Sequence, residues 1–178
     1  MLIKKNINHS KYIFWISILF IWILSTIIDR IWWNLYSITP SWDQADYLNS
    51  ALDHGRALSF LGADGASDFN SLLDKSPKIP PLASIINGAV ITFAGDAPHQ
   101  AAWSLSFWNG FFIFNIASWG LYLSGKKLGL FCALISVCSP FLFNLRTDYV
   151  LELPLISAIT FYLFHLGRWS DKSMGGKW

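Results

Sequence analysis

The chain alternates between long apolar runs and short polar ones. Five stretches hold no charged residue: 12–28, 79–95, 97–125, 128–145 and 153–167. Three of them reach or approach the roughly 20 apolar residues that carry a helix across a bilayer. Tyr12–Ile28 predicts a first span behind a basic tail at 1–11. Its apolar run is longer than a signal-peptide core, and Asp29-Arg30-Ile31-Trp32-Trp33 is no small-x-small cleavage site. The segment therefore reads as a retained anchor, with Trp32, Trp33 and Tyr36 in an aromatic belt. Ala101–Leu123 and Leu128–Leu145 predict two more spans, the latter bent or weakened at Pro140. Leu151–Gly167 predicts a fourth, with Pro154 in its first turn. Ile79–Gly95 differs. Its apolar heart, Pro81–Ala94, is short and contains Ser84, Asn87, Gly88 and Thr92, which suits a re-entrant or interfacial helix.

Charge decides that segment and the orientation together. With Ile79–Gly95 not crossing and the N-terminus cytoplasmic, the inner side holds Lys4, Lys5, Lys11, Lys126, Lys127, Arg168, Lys172 and Lys177, which is 8 of 13 basic residues. With that segment crossing, the inside keeps only Lys4, Lys5, Lys11 and Arg146. The positive-inside rule selects the first arrangement. It gives a cytoplasmic turn at 124–127, a cytoplasmic tail at 168–178, an outer loop at 29–100 and a short outer turn at 146–150. The expected fold is thus an all-α integral membrane bundle, with about four transmembrane helices and juxtamembrane helices at 42–58 and 81–94. The expected location is the plasma (inner) membrane, multi-pass. Ten of the 11 carboxylates fall on the outer side, which marks that face as the place for chemistry.

Composition agrees. Of 178 residues, 53% are hydrophobic, 17% aromatic and 13% charged, against about 25% charged in soluble domains. A soluble enzyme, a disordered tail and a nucleic-acid module are excluded, and a net charge of +2 is too small to call for a polyanionic partner. Cys132 and Cys138 sit in one apolar segment at no metal-binding spacing and read as small apolar fillers.

Two outer stretches carry candidate chemistry. Ser41-Trp42-Asp43-Gln44 is a capping box that predicts the 42–58 helix. Ala45, Leu48 and Leu52 form its apolar stripe, while Asp43, Tyr47, Ser50 and His54 share another face. Asp43 lies in the first turn, where the helix dipole favours an ionised carboxylate able to accept a proton or bind a cation; Asp is also common there for dipole reasons alone. Lys78, before Ile79-Pro80-Pro81, suits either a lipid phosphate or simple snorkelling. The second stretch runs Arg146-Thr147-Asp148-Tyr149-Val150-Leu151-Glu152. A carboxylate such as Glu152 beside hydrocarbon is functional by default, although capping of the last helix by Asp148 or Glu152 explains it equally. His165, deep in the last span, reads as a packing residue.

In order, the chain contains Asp43-Gln44-Ala45-Asp46-Tyr47, Lys78-Ile79-Pro80-Pro81-Leu82, Ser124-Gly125-Lys126-Lys127-Leu128-Gly129, Ser139-Pro140 and Glu152-Leu153-Pro154-Leu155. This series resembles the N-terminal portion of GT-C-type membrane glycosyltransferases, in the branch of protein O-mannosyltransferases and lipid A aminoarabinose transferases. The resemblance covers residues ~12–168. It departs from the pattern at Gln44, where a second acid is usual, at the extra Ile79, and at Glu152, where Asp is usual. Family members continue for several hundred residues, so this chain is expected to be the N-terminal part of such an enzyme or a truncated relative.

The resemblance implies transfer of a sugar from a polyprenyl-phosphate donor to an acceptor hydroxyl at the outer face, with inversion. Asp43 takes the role of general base. Lys78 and Arg146 are candidates to stabilise the phosphate leaving group. Glu152 orients the acceptor or a neighbouring cation, and Asp148 and Tyr47 complete the candidate binding set. No cofactor is demanded; a divalent metal is compatible with related folds, but no spacing here requires one. The implied partners are the lipid bilayer, a polyprenyl-phosphate-linked sugar and further spans from another chain. The competing class is a catalytically inactive, bundle-forming membrane protein that keeps the fold. A transporter fits less well, because Asp43 and Glu152 lie at the rim rather than at mid-membrane depth.

Overall fold

A computed structural model of the chain describes residues 2–36, 41–58, 74 and 81–173. The loop expected over 59–78 lies outside these residues except for Asp74, as does the tail from 174. Every element among the described residues is helical. Helix α1 spans Leu2–Leu35, α2 Trp42–Leu58, α3 Pro81–Ala94 and the short α4 Pro98–Ala101. Helix α5 spans Trp103–Ser124, α6 Lys126–Cys138, α7 Pro140–Thr147 and α8 Glu152–Ser173.

Helix α1 runs past Ile28 to Leu35, and Asp29 within it is paired with Arg146. Its apolar part, Lys11–Leu35, is 25 residues long with a mean hydropathy of 2.0. At 1.5 Å per residue it reaches roughly 37 Å. Among the described residues it is the single unbroken helix long and apolar enough to cross a membrane. Helices α6 and α7 reach that standard only if counted together, and they meet at a 62° bend. The break follows from Pro140, which has no N–H to continue the ladder, while the Ser139 side chain accepts from the Leu142 N–H (3.4 Å) and starts α7.

Helix α5 is the hub. It packs on α6 and α8 along its length and also touches α1 and α3. That central place explains its mixed composition: Ser104, Ser106, Asn109 and Asn115 are all buried, facing protein rather than water. Asn109 donates to Ser25 of α1 (2.9 Å), and Trp22 of α1 donates to the Ser106 carbonyl (2.9 Å). Trp108 donates to Asn87 of α3 (2.7 Å), and Ser157 of α8 donates to the Trp108 carbonyl (3.1 Å). Helices α1, α3 and α8 are thereby each tied to α5 by a polar contact, which fixes register where apolar packing alone leaves it loose.

The core has two parts. Phe14 and Ile18 of α1 meet Ile113 and Ala117 of α5 and Ala133 of α6. Leu48, Ala51, Ile91, Leu105, Trp108, Tyr149 and Leu153 form the other, bringing α2 and α3 onto α5 and α8. Helices α2 and α3 form a tight pair because Gly55 and Gly88 let their backbones approach: a Cβ on Gly88 would stand 2.6 Å from the Gly55 nitrogen. The outward faces are apolar as well. Phe20, Phe131, Phe141, Leu155 and Tyr162, on α1, α6, α7 and α8, are each more than half exposed.

Candidate functional site

The site begins with one buried ion pair. Asp29 and Arg146, 117 residues apart, are 1% and 3% exposed, and the guanidinium Nε lies 3.0 and 3.2 Å from the two carboxylate oxygens. Arg146 also donates to the Val137 carbonyl (3.4 Å), and its own carbonyl accepts from the Trp33 indole (3.5 Å). The next residue on α1, Arg30, donates to the carbonyls of His99 (3.0 Å) and Ala102 (2.9 Å) and stacks over Trp103. These contacts lock the end of α1 against α4, α5 and α7.

A cavity of about 140 Å³ opens at that end. Helix α1 supplies Trp32 and Trp33, Tyr36 follows directly after it, and α4 supplies Pro98. Ser41, Gln44 and Leu48 come from the start of α2, and Thr147, Asp148 and Tyr149 from the turn between α7 and α8. Trp32 stacks on Tyr36 with centroids 4.0 Å apart and meets Phe143 edge-on. The Gln44 side-chain amide donates to Asp148, and its carbonyl accepts from the Ser41 backbone N–H at 3.0 Å. One side chain thus caps α2 and fastens it to a turn 104 residues away.

The electrostatics of this end are acidic. Burial first, and the nearby Glu152 charge second, push the Asp148 carboxyl above its ordinary value of 3.8. Tyr149 is 3% exposed, and burial pushes its phenol up to about 12, opposed by hydrogen bonds with Ser104 and Asn87. Asp43, Asp148 and Glu152 are all exposed, so the desolvation acting on Asp148 is partial.

The expected site residues divide into several groups. Asp148 lines the cavity; Asp43 adjoins Gln44, which touches Asp148; and Glu152 acts on Asp148 through its charge. Tyr47 is half-buried against the core cluster. Arg146 does not line the cavity, because its guanidinium faces Asp29. Lys78 lies outside the described residues. The α2 face expected to join Asp43, Tyr47, Ser50 and His54 is covered at its far end. Ser50 donates to Ser84 of α3 (2.9 Å), and His54 is fully buried with Nδ1 2.7 Å from the Ser50 carbonyl.

Sequence reasoning missed Asp29 as the partner of Arg146, and Tyr149 and Trp33 as cavity walls. Gln44 stood out as a capping-box residue and as a departure from a family pattern, and nothing local joins it to Asp148. Among the described residues no group of three or more His, Cys, Asp or Glu side chains is placed to share a metal ion. No family model, curated protein or solved structure matches the chain.

Proposed function

We propose that the chain is a multi-pass helical protein of the plasma (inner) membrane, N-terminus cytoplasmic, that transfers a sugar from a polyprenyl-phosphate donor to an acceptor hydroxyl at its outer face. The observation that carries this reading is the Gln44–Asp148 contact. It brings the helix start that carries Asp43 and the turn that leads to Glu152 beside one aromatic-walled cavity, of whose lining Asp148 is the acidic member, and so supports shared chemistry on one reacting centre. Asp43 is the general base, exposed at a helix start whose dipole favours its ionised form. Asp148 and Glu152 orient the acceptor, and Lys78 meets the departing phosphate. Arg146, committed to Asp29, holds the cavity wall in place rather than meeting phosphate. The membrane reading is supported by the apolar Lys11–Leu35 helix and by the exposed aromatic and aliphatic side chains on four helices, a surface that water would not tolerate.

A second reading, a catalytically inactive bundle-forming partner, draws on the cavity's size. About 140 Å³ is below the roughly 300–1,000 Å³ of most ligand pockets. One experiment separates the two: a transfer assay with labelled polyprenyl-phosphate sugar on the intact chain and its Asp43→Asn form. Turnover that falls by about 10²–10⁴-fold in the variant supports Asp43 as the base. Equal turnover by both removes it from that role. No turnover by the unmodified chain selects the bundle-forming reading.

A further inference from the structure

We propose that the cavity at the end of α1 binds a small organic cation, an alkylammonium group of the choline class. Four aromatic side chains, Trp32, Trp33, Tyr36 and Tyr149, contribute to its walls. Among the described residues the one charged group lining it is Asp148, and no described basic side chain does so. Of the described basic residues at this end, Arg146 is 3% exposed and bonded to Asp29, and Arg30 donates to the carbonyls of His99 and Ala102.

Aromatic rings and a carboxylate around a compact space are the composition that recognises quaternary ammonium groups, because the ring faces carry negative potential. Here the carboxylate is held in place by the Gln44 amide rather than by a cation. Its charge is therefore fixed in position but not neutralised, and Glu152 adds a second negative charge from the start of α8. The space of about 140 Å³ suits a compact head group and not a whole lipid or oligosaccharide. Among the described lining residues there is no cation to offset the repulsion between an anionic ligand and Asp148. A neutral ligand would leave that carboxylate's potential unused.

The inference concerns the cavity already assigned to sugar transfer, does not require turnover there, and is tested by binding alone. The full chain is purified in an uncharged maltoside detergent, since phosphocholine detergents would occupy the cavity. It is titrated calorimetrically with choline and with 3,3-dimethylbutan-1-ol, the neutral carbon isostere of choline. Saturable binding of choline, at least tenfold tighter than the isostere, is expected. Asp148→Asn keeps the shape and a Gln44 partner, and it should weaken choline at least tenfold; Glu152→Gln should weaken it severalfold, with folding of each checked by circular dichroism. Equal binding of choline and its isostere, no saturable binding of choline, or unchanged affinity in folded Asp148→Asn overturns the proposal.

A last arm identifies the source of the cation. In nanodiscs of phosphatidylcholine, loss of the choline isotherm relative to phosphatidylglycerol nanodiscs supports the cavity as a lipid headgroup site. Equal isotherms in the two support it as a site for the free cation.

Discussion

Replacing Gly88 by alanine adds a single carbon, and the structure says where it goes. The new Cβ would stand 2.6 Å from the Gly55 nitrogen, 2.8 Å from the Ala51 oxygen and 3.0 Å from the His54 carbonyl carbon. All three are backbone atoms of α2, so no side chain can swing aside. To restore an ordinary contact of 3.4 Å, the two helices must part by about 0.8 Å. Overpacking of this kind costs about 1–3 kcal/mol. The Ser50–Ser84 hydrogen bond, 2.9 Å and buried, lies in the same seam, and stretching it forfeits about 1 kcal/mol more. Alanine returns about 1 kcal/mol of helix propensity. The net expectation is a loss of about 2 kcal/mol. Gly167, in α8, supplies the control, because a Cβ there meets nothing within 4 Å. Gly167→Ala should therefore gain about 1 kcal/mol from propensity alone. Denaturant titration in maltoside micelles, followed by far-ultraviolet circular dichroism, measures both. If Gly88→Ala matched or exceeded the unmodified chain in stability, the claim that α2 and α3 touch through their backbones would be wrong.

Three other outcomes are expected. Arg146→Met should cost about 3–5 kcal/mol, because it strands a buried carboxylate, while the Asp29→Leu/Arg146→Met pair should lose less than the two single changes summed. A double-mutant cycle on unfolding free energy checks this, and strict additivity would refute the pair. Trp108→Phe should cost about 1–3 kcal/mol by leaving the buried Asn87 carbonyl without its donor, whereas Trp103→Phe, at a partly exposed ring, should cost less. Asp148 has a raised pKa in the fold, so folding disfavours its ionised form. Its contribution is best below pH 3.8 and declines as pH rises through the raised folded value. Melting curves against pH should therefore show Asp148→Asn gaining on the unmodified chain above that window, and a pH-independent difference would contradict it.

Local signals were legible where a single residue acts on its own neighbours. Ser41 and Gln44 announce the start of α2, and the Ser41 N–H does bond to Gln44. Pro140 announces a break, and Pro81 stands at the first position of α3. What escaped was everything that depends on tertiary approach. A charge-free run at 101–123 reads as lipid-facing, yet Ser104, Ser106 and Asn109 within it are buried against other helices. Charge-free patterning cannot separate those two surroundings, since both exclude water. The Asp29–Arg146 pair was illegible for a related reason: each residue sits at the edge of an apolar run, where it looks like an ordinary interfacial charge. The candidate site was half legible, in that Asp43, Asp148 and Glu152 marked its acidic members. The aromatic walls came from α1 and Tyr149, whose residues had been read only as an interfacial belt or a neighbour in the acidic turn.

The Asp29–Arg146 pair also sets a timing problem for the cell. Asp29 leaves the ribosome 117 residues before its partner does. At about 5–20 residues per second, the interval is roughly 6–23 s. During that time α1 exists with a carboxylate destined for burial and nothing to neutralise it, a cost of about 2.5–3.5 kcal/mol in the middle of a bilayer and less near its edge. On the proposed membrane reading, the nascent helix must keep Asp29 in contact with water, or with an assisting factor, until α7 has been made. On the same reading, biogenesis thus includes a delayed docking step, in which α7 delivers the Arg146 cation to a helix synthesised long before.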